Sequence, residues 1–295
     1  MKKRLVAPLF AATLLLAGCG DPGTTLPALT LTPSPTVGAP AKAQVSVQYC
    51  ADDTGSYSRD NFKNANDLVA KSLINSVEPD AQGVAHASQG ILLYATKITG
   101  NTYDPVNTLA PFEVPATNPP QLPPLQPTPT PGDPDQYHAN STKQSVDQAN
   151  APKIAQFNSD MAAYKASLAS IKGKVAGDVQ RLQSWNPPVD DRGTSVWGCL
   201  VLATQRLASK PGPKYLIIAS DMENNTCLDC AKVHLDGMKV HVIFFQSDNA
   251  IRAQQKQAQW TADFIKSGAQ AADVTFDDPA ASETLLQNSA TLFGG

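Results

Sequence analysis

Residues 44–56 read QVSVQYCADDTGS. From Gln44 to Ala51 the run is rich in valine and tyrosine, the composition of a strand, and it then breaks into Asp52-Asp53-Thr54-Gly55-Ser56. An amphipathic helix is expected directly behind this break, over Asp60 to Val77, with Phe62, Leu68, Val69, Leu73 and Val77 on one face. A strand that ends in oxygen-bearing residues and feeds a helix is the opening unit of an alternating α/β chain.

The alternation continues outward from that unit. A strand is expected at Ile91 to Ile98. Further on, Ile154, Phe157, Met161, Tyr164, Leu168, Ile171, Val175, Val179 and Leu182 recur at steps of three and four, which predicts one long helix over about 153–184. Its stripe could be a coiled-coil seam or, the simpler reading, the face that packs on the domain's own sheet. Gly173 and Gly177 weaken its far end. A helix from Val196 to about Ser209 follows, then the break Pro211-Gly212-Pro213, a strand at Tyr215 to Ala219 and a strand at Val240 to Gln246. The chain closes with a helix at Ala250 to Lys266, a short strand at Asp273 to Phe276 and a helix near Ala281 to Leu292. Such alternation implies a doubly wound, mostly parallel sheet flanked by helices, with ligands bound at the carboxyl ends of the strands.

The start of the chain speaks to location. Lys2, Lys3 and Arg4 precede an apolar stretch from Leu5 to Leu16, shorter than the ~20 residues that span a bilayer, so residues 1–18 read as a secretory signal. Leu16-Ala17-Gly18-Cys19 resembles the lipobox of bacterial lipoproteins, which implies lipidation of Cys19 and a mature protein anchored on the extracytoplasmic face of the cell envelope. Residues 19–43, rich in Pro, Thr and Gly, read as a tether, and 44–295 as the folded domain. Within it, about 104–140 reads as a proline-rich inserted loop in extended polyproline conformation, a spacer. The formal net charge of -3 moves to -6 once Lys2, Lys3 and Arg4 are removed, so there is no electrostatic case for nucleic acid.

Three segments fall on the same edge of the expected sheet: Asp52-Asp53-Thr54-Gly55-Ser56 after the first strand, Gly193-Thr194-Ser195 before a helix, and Ser220-Asp221-Met222-Glu223-Asn224-Asn225 after the strand YLIIA. In this order they resemble the metal-ion-dependent adhesion site of von Willebrand factor A domains. That family's Asp-x-Ser-x-Ser is matched by Asp52, Thr54 and Ser56, its loop threonine by Thr194, and its strand-end aspartate by Asp221. Two positions depart from the pattern, Thr54 for serine, which keeps the hydroxyl, and Met222 for the glycine that usually follows the aspartate, which alters backbone freedom there. The resemblance implies a bound Mg²⁺ (or Mn²⁺ or Ca²⁺) with an open coordination position that captures a carboxylate of a protein ligand. The chemistry of the set agrees with it, because hard divalent cations take oxygen ligands. Taken singly, each has a plainer reading: strand-end aspartates cap helices, and Thr194 could be an N-cap. Asp53, Asp190, Asp191 and Glu223 flank the site and read as solvated loop charges.

Of the remaining cysteines, Cys227 and Cys230 form a CxxC that reads as a local disulfide or a redox pair, and Cys50 and Cys199 as either a bridge or two buried thiols. The four histidines show no ligand spacing; His241, inside a strand, reads as a packing residue. Trp185, Trp197 and Trp260 flank helices and read as packing. No catalytic triad or phosphate loop is present, so the expected function is a lipid-anchored, metal-dependent binding module and not an enzyme. A thiol–disulfide protein using Cys227 and Cys230, or a structural envelope protein that has lost metal use, are the other classes left open.

Overall fold

A computed structural model describes residues 44–85, 89–127, 136–186, 193–224, 232–288 and 292–293, with side chains in the long helix from 142 onward. Cys19, the signal, the tether, Asp190, Asp191, Cys227 and Cys230 lie outside the described residues.

Among the described residues six strands form one sheet in the order β3-β2-β1-β4-β5-β6. They are β1 (Val45–Asp52), β2 (Ile91–Ile98), β3 (Phe112–Val114), β4 (Lys214–Ala219), β5 (Met238–Ile243) and β6 (Val274–Phe276). All neighbours pair in parallel except β3, which lies antiparallel against β2. The helices are α1 (Arg59–Val77), α2 (Gln136–Gln183), α3 (Val196–Leu207), α4 (Ala250–Lys266) and α5 (Pro279–Gln287). The protein is thus a doubly wound α/β domain. Among the described residues no helix is long and apolar enough to cross a membrane.

Strand alternation sends β1 side chains to two cores. Val45, Val47, Tyr49 and Ala51 join the core containing α1 and the second half of α2. Cys50 joins the one beneath α3 and α4 with Leu216, Ile218, Leu200 and Phe264. All five residues expected on the apolar face of α1 are buried, and Ser58 caps that helix by accepting from Asn61 N. Parallel strands buried on both faces explain why β1 and β4 are apolar almost throughout.

The long helix corrects the expected boundary. It begins at Gln136 rather than near 153 and carries Pro152 inside it. Residues 136–152 have no apolar stripe to reveal them, and a proline inside a helix argues against one. Tyr164, Leu168, Ile171, Val175, Val179 and Leu182 are buried, whereas Ile154 is 39% exposed. The stripe packs on the domain itself as far as Met161.

The proline-rich stretch is corrected as well. The segment expected as a plain loop supplies a 3-10 turn at Pro105–Asn107 and the edge strand β3, where Phe112 and Val114 are buried and Arg181 lies over the Phe112 ring at 4.2 Å. Farther along, Asn150 of α2 clamps Gln126 at both backbone groups, Gln126 N donating to Oδ1 (2.9 Å) and Nδ2 donating to Gln126 O (3.0 Å). Lys153 Nζ donates to Pro124 O (2.9 Å). Prolines lack N–H donors, so the strap is tied to α2 by its carbonyls at Pro124 and Gln126, which accept from helix side chains, and by the one N–H of Gln126.

Candidate functional site

The order of the sheet dictates where a ligand fits. From β1 the chain moves to β2 on one side and later returns to β4 on the other, so the direction of winding reverses between β1 and β4. Ala51 and Ala219 are in register, and the next residues on each strand are Asp52 and Ser220. Both loops therefore leave the sheet side by side at the switch point.

Asp52 is fully buried. One carboxylate oxygen accepts from Thr54 N (3.1 Å) and Thr54 Oγ1 (2.7 Å), and the other from Ser220 Oγ (2.6 Å). Thr54 Oγ1 lies 3.3 Å from Ser56 Oγ, which is exposed. Burial pushes the Asp52 carboxyl up to about 7, with the charge of nearby Asp221 adding to the rise and the bonds from Ser220 and Thr54 pulling against it. Among the described residues no side-chain cation contacts Asp52.

Asp221 is 5% exposed and its Oδ1 accepts from Glu223 N (2.9 Å). Met222 stands where a glycine was expected, and its φ of 59° lies in the left-handed region that glycine favours. The turn is held from three sides: Met222 N donates to Ser220 Oγ (2.8 Å), Trp260 Nε1 donates to Met222 O (3.0 Å), and Lys256 Nζ donates to Asp221 O (2.8 Å). The buried Met222 side chain anchors it as well. The methionine thus keeps the glycine-like backbone through its surroundings.

Thr194 is buried in the loop that enters α3, after Gly193 at φ 129°. It is not the helix cap: Ser195 is, its Oγ accepting from Gly198 N (3.2 Å). Ser195 N donates to Thr99 O (3.0 Å) and Thr102 Oγ1 donates to Ser195 O (3.0 Å), which fixes the loop to the end of β2. Val196 N donates to Asn224 Oδ1 (2.9 Å), joining this loop to the one after β4. Cys50 and Cys199 form a disulfide with Cα atoms 6.2 Å apart, so of the two readings of this pair the bridge holds. The bond ties α3 to β1 two residues before Asp52.

Ser56 and Asp221 line a cleft of about 410 Å³ with Glu223, Gln246, Ser247, Asp248 and Lys256. The structure therefore brings Asp52, Thr54 and Ser56 together directly, sets Asp221 beside them, and places Thr194 on an adjoining loop. Among the described residues no three His, Cys, Asp or Glu side chains cluster, so an ion here would be held largely by hydroxyls.

Reading the sequence missed three members of this arrangement. Ser220 was legible as a hydroxyl beside Asp221, but its bond to Asp52 depends on strand register. Asn224 was visible in the same polar run. Lys256 gave no signal, because a lone lysine on a polar helix face looks like any other. Asp53 departs from the expected solvated charge: it is buried, and bonded to Lys97 Nζ (2.8 Å) and to Arg59. His241 bonds Asp277 (2.7 Å), consistent with a satisfied strand residue.

No protein-family model matches the chain, and no curated protein sequence matches it. Among solved structures, similarity is found to proximal thread matrix protein 1 of the mussel byssus, at 11% identity and TM-score 0.40, covering 84% of this chain and 48% of that one. The pilus adhesin SpaC of Lactobacillus rhamnosus GG is similar at 12% identity and TM-score 0.37, covering 85% and 30%. The manganese-loaded TRAP protein of Plasmodium vivax is similar at 12% identity and TM-score 0.33, covering 84% and 74%. The chain spans less than half the length of the first two.

Proposed function

We propose that this chain is a lipid-anchored, extracytoplasmic binding module of the von Willebrand factor A type, not an enzyme. In this reading Asp52, Thr54, Ser56, Thr194 and Asp221, backed by Ser220, hold a divalent cation through which an acidic residue of a partner protein is captured. Cys19 carries the lipid.

The observation that carries the reading is Asp52. A buried carboxylate is ordinarily paired with a cation from the same chain. Asp52 has three hydrogen bonds from Thr54 and Ser220 and, among the described residues, no cationic partner, and a second carboxylate, Asp221, raises its pKa from close by. Two adjacent carboxylates and three hydroxyls form an all-oxygen donor set, which suits Mg²⁺, Mn²⁺ or Ca²⁺ and not soft metals. Each hydroxyl that donates to a carboxylate keeps lone pairs for an ion. When bound, such an ion supplies an open coordination position for a carboxylate, and the cleft bordered by Ser56 and Asp221 gives that carboxylate access.

Titration calorimetry with Mg²⁺ and Mn²⁺ tests the ion. Saturable binding is expected in the wild type and is expected to vanish in Asp52→Asn and Asp221→Asn. At one hundred times Kd the ion should add about 2.7 kcal/mol of stability. A melting temperature unmoved by Mg²⁺, Mn²⁺ and Ca²⁺ removes the proposal. Recovery of the same partner from envelope extract in Mg²⁺ and in chelator would keep the ion but reject its role in capture.

A further inference from the structure

The turn after β4 has a second side. Adjoining the cleft that holds Ser56, and sharing Glu223 and Lys256 with it, a second cleft of about 320 Å³ opens between this turn, the start of α3 and one face of α4. Its aromatic wall is Trp197, half-buried and packed at a tilt of 35° on the buried Trp260, with centroids 5.4 Å apart. Trp260 is fixed by its bond to Met222 O and by Phe264 behind it at 5.5 Å, so Trp197 rests on a rigid backing.

The polar wall is a row on α4. Gln255, Gln259 and Asp263 line the cleft at successive steps of four residues, which puts them on one stripe of the helix, about 6 Å apart along its axis and about 12 Å from end to end. None of the three side chains is hydrogen-bonded to another described residue, whereas the two cations at the cleft are both engaged, Arg252 with Asp248 and Lys256 with Glu223. An anionic ligand therefore finds no unpaired positive charge. What is offered is an indole surface, two amides that both donate and accept, and one carboxylate that accepts. That combination matches a ligand with apolar C–H faces and a rim of hydroxyls that donate and accept in turn. The straight row favours an extended ligand over a compact one.

We propose that this cleft binds a neutral saccharide, with a β-linked disaccharide unit lying along Gln255, Gln259 and Asp263 and one ring stacked on Trp197. The site is independent of the cation reading, since none of its binding groups belongs to the Asp52 set. The two clefts share Glu223 and Lys256, which are paired with each other, as their common wall.

Titration of the full chain with cellobiose and with chitobiose, in chelator, tests this by tryptophan fluorescence and saturation-transfer NMR. Saturable binding of at least one is expected, the same in chelator as in Mg²⁺, and weakened about tenfold or more in Trp197→Ala and in Gln259→Ala. The exposed pair Gln255→Ala with Gln259→Ala decides the matter if Trp197→Ala does not fold. No saturable response to either sugar, or wild-type affinity in the folded variants, overturns the proposal. Because the assay runs without divalent ions, its failure leaves the cation site untouched, and failure of the cation site leaves this one standing.

Discussion

Asp52 and Asp53 are neighbours at the end of β1, both buried, and the fold treats them in opposite ways. Alternation sends the first toward the side of Cys50 and α3 and the second toward α1. Asp53 meets Lys97, which lies in register with Ala51 on β2, and Arg59 on the first turn of α1. Among the described residues Asp52 meets hydroxyls and a backbone N–H. Two cations near this strand end, Lys97 and Arg59, pair with Asp53. A buried carboxylate whose counter-charge is built in is part of the scaffold; one left without it is suited to a charge that arrives from outside.

The largest expected effect breaks the scaffold half of that contrast. Asp53→Asn removes the carboxylate from a buried ion pair whose lysine side chain is 4% exposed, and such breaks cost about 3–5 kcal/mol. Thermal unfolding in chelator should show this loss, and Mg²⁺ should not selectively repair it. A cost below about 1 kcal/mol would mean that Lys97 and Arg59 are equally well held without Asp53.

The same comparison predicts a pH dependence for Asp52. Its ordinary value is near 3.8 and burial raises it to about 7 in the folded state. Between those values the folded chain keeps a proton that the unfolded chain has lost, so without divalent ions stability should fall as pH rises through that window, by roughly 1 kcal/mol per pH unit at the steepest. Below the window both states are protonated and above it neither is, so the slope ends there. Asp52→Asn, which cannot ionise, should flatten this part of the curve. Saturating Mg²⁺ should flatten it in the wild type too, because a bound cation favours the ionised carboxylate in the folded state. A wild-type curve in chelator that rises from pH 4 to 7, with Asp52→Asn unchanged, would mean the carboxylate is ionised and otherwise compensated.

These features were unequally legible in the sequence. The strand ends could be read because β1 and β4 are apolar runs cut off by Asp52 and by Ser220-Asp221, and periodicity located α1, α3 and α4 within a few residues. The motif set Asp52 apart from Asp53, but the burial and pairing of Asp53 could not be read, since they depend on the register of β2, which brings Lys97 opposite Ala51. The first part of α2 was hidden because Val146 is a lone buried apolar residue among those described there and the ties to the strap are polar: Asn150 and Lys153 hold it at Pro124 and Gln126, and hydrophobic periodicity does not register such bonds. Phe112 and Val114 were hidden because a three-residue edge strand is too short to show alternation among prolines.

The smallest expected effect sharpens the contrast at the α3 loop, where Thr194 and Ser195 repeat the division of labour between scaffold and site. Ser195 caps α3 through Gly198 N, so Ser195→Ala should cost about 1 kcal/mol of stability. Thr194 does not cap the helix, and Thr194→Ala should cost less than that in chelator. If its hydroxyl serves the ion, the variant should show a smaller Mg²⁺-induced rise in melting temperature than Ser195→Ala does, reversing the order of the two. Under the proposed function, Thr194 would exchange between direct and water-mediated contact with the ion as a partner's carboxylate arrives. Partner capture should then fall more than ion affinity, because only an interaction that differs between two states shifts the balance between them. Equal Mg²⁺ stabilisation and equal partner recovery in the two variants would place Thr194 in the scaffold beside Ser195, and the ion would have to be held by the β1 and β4 loops alone.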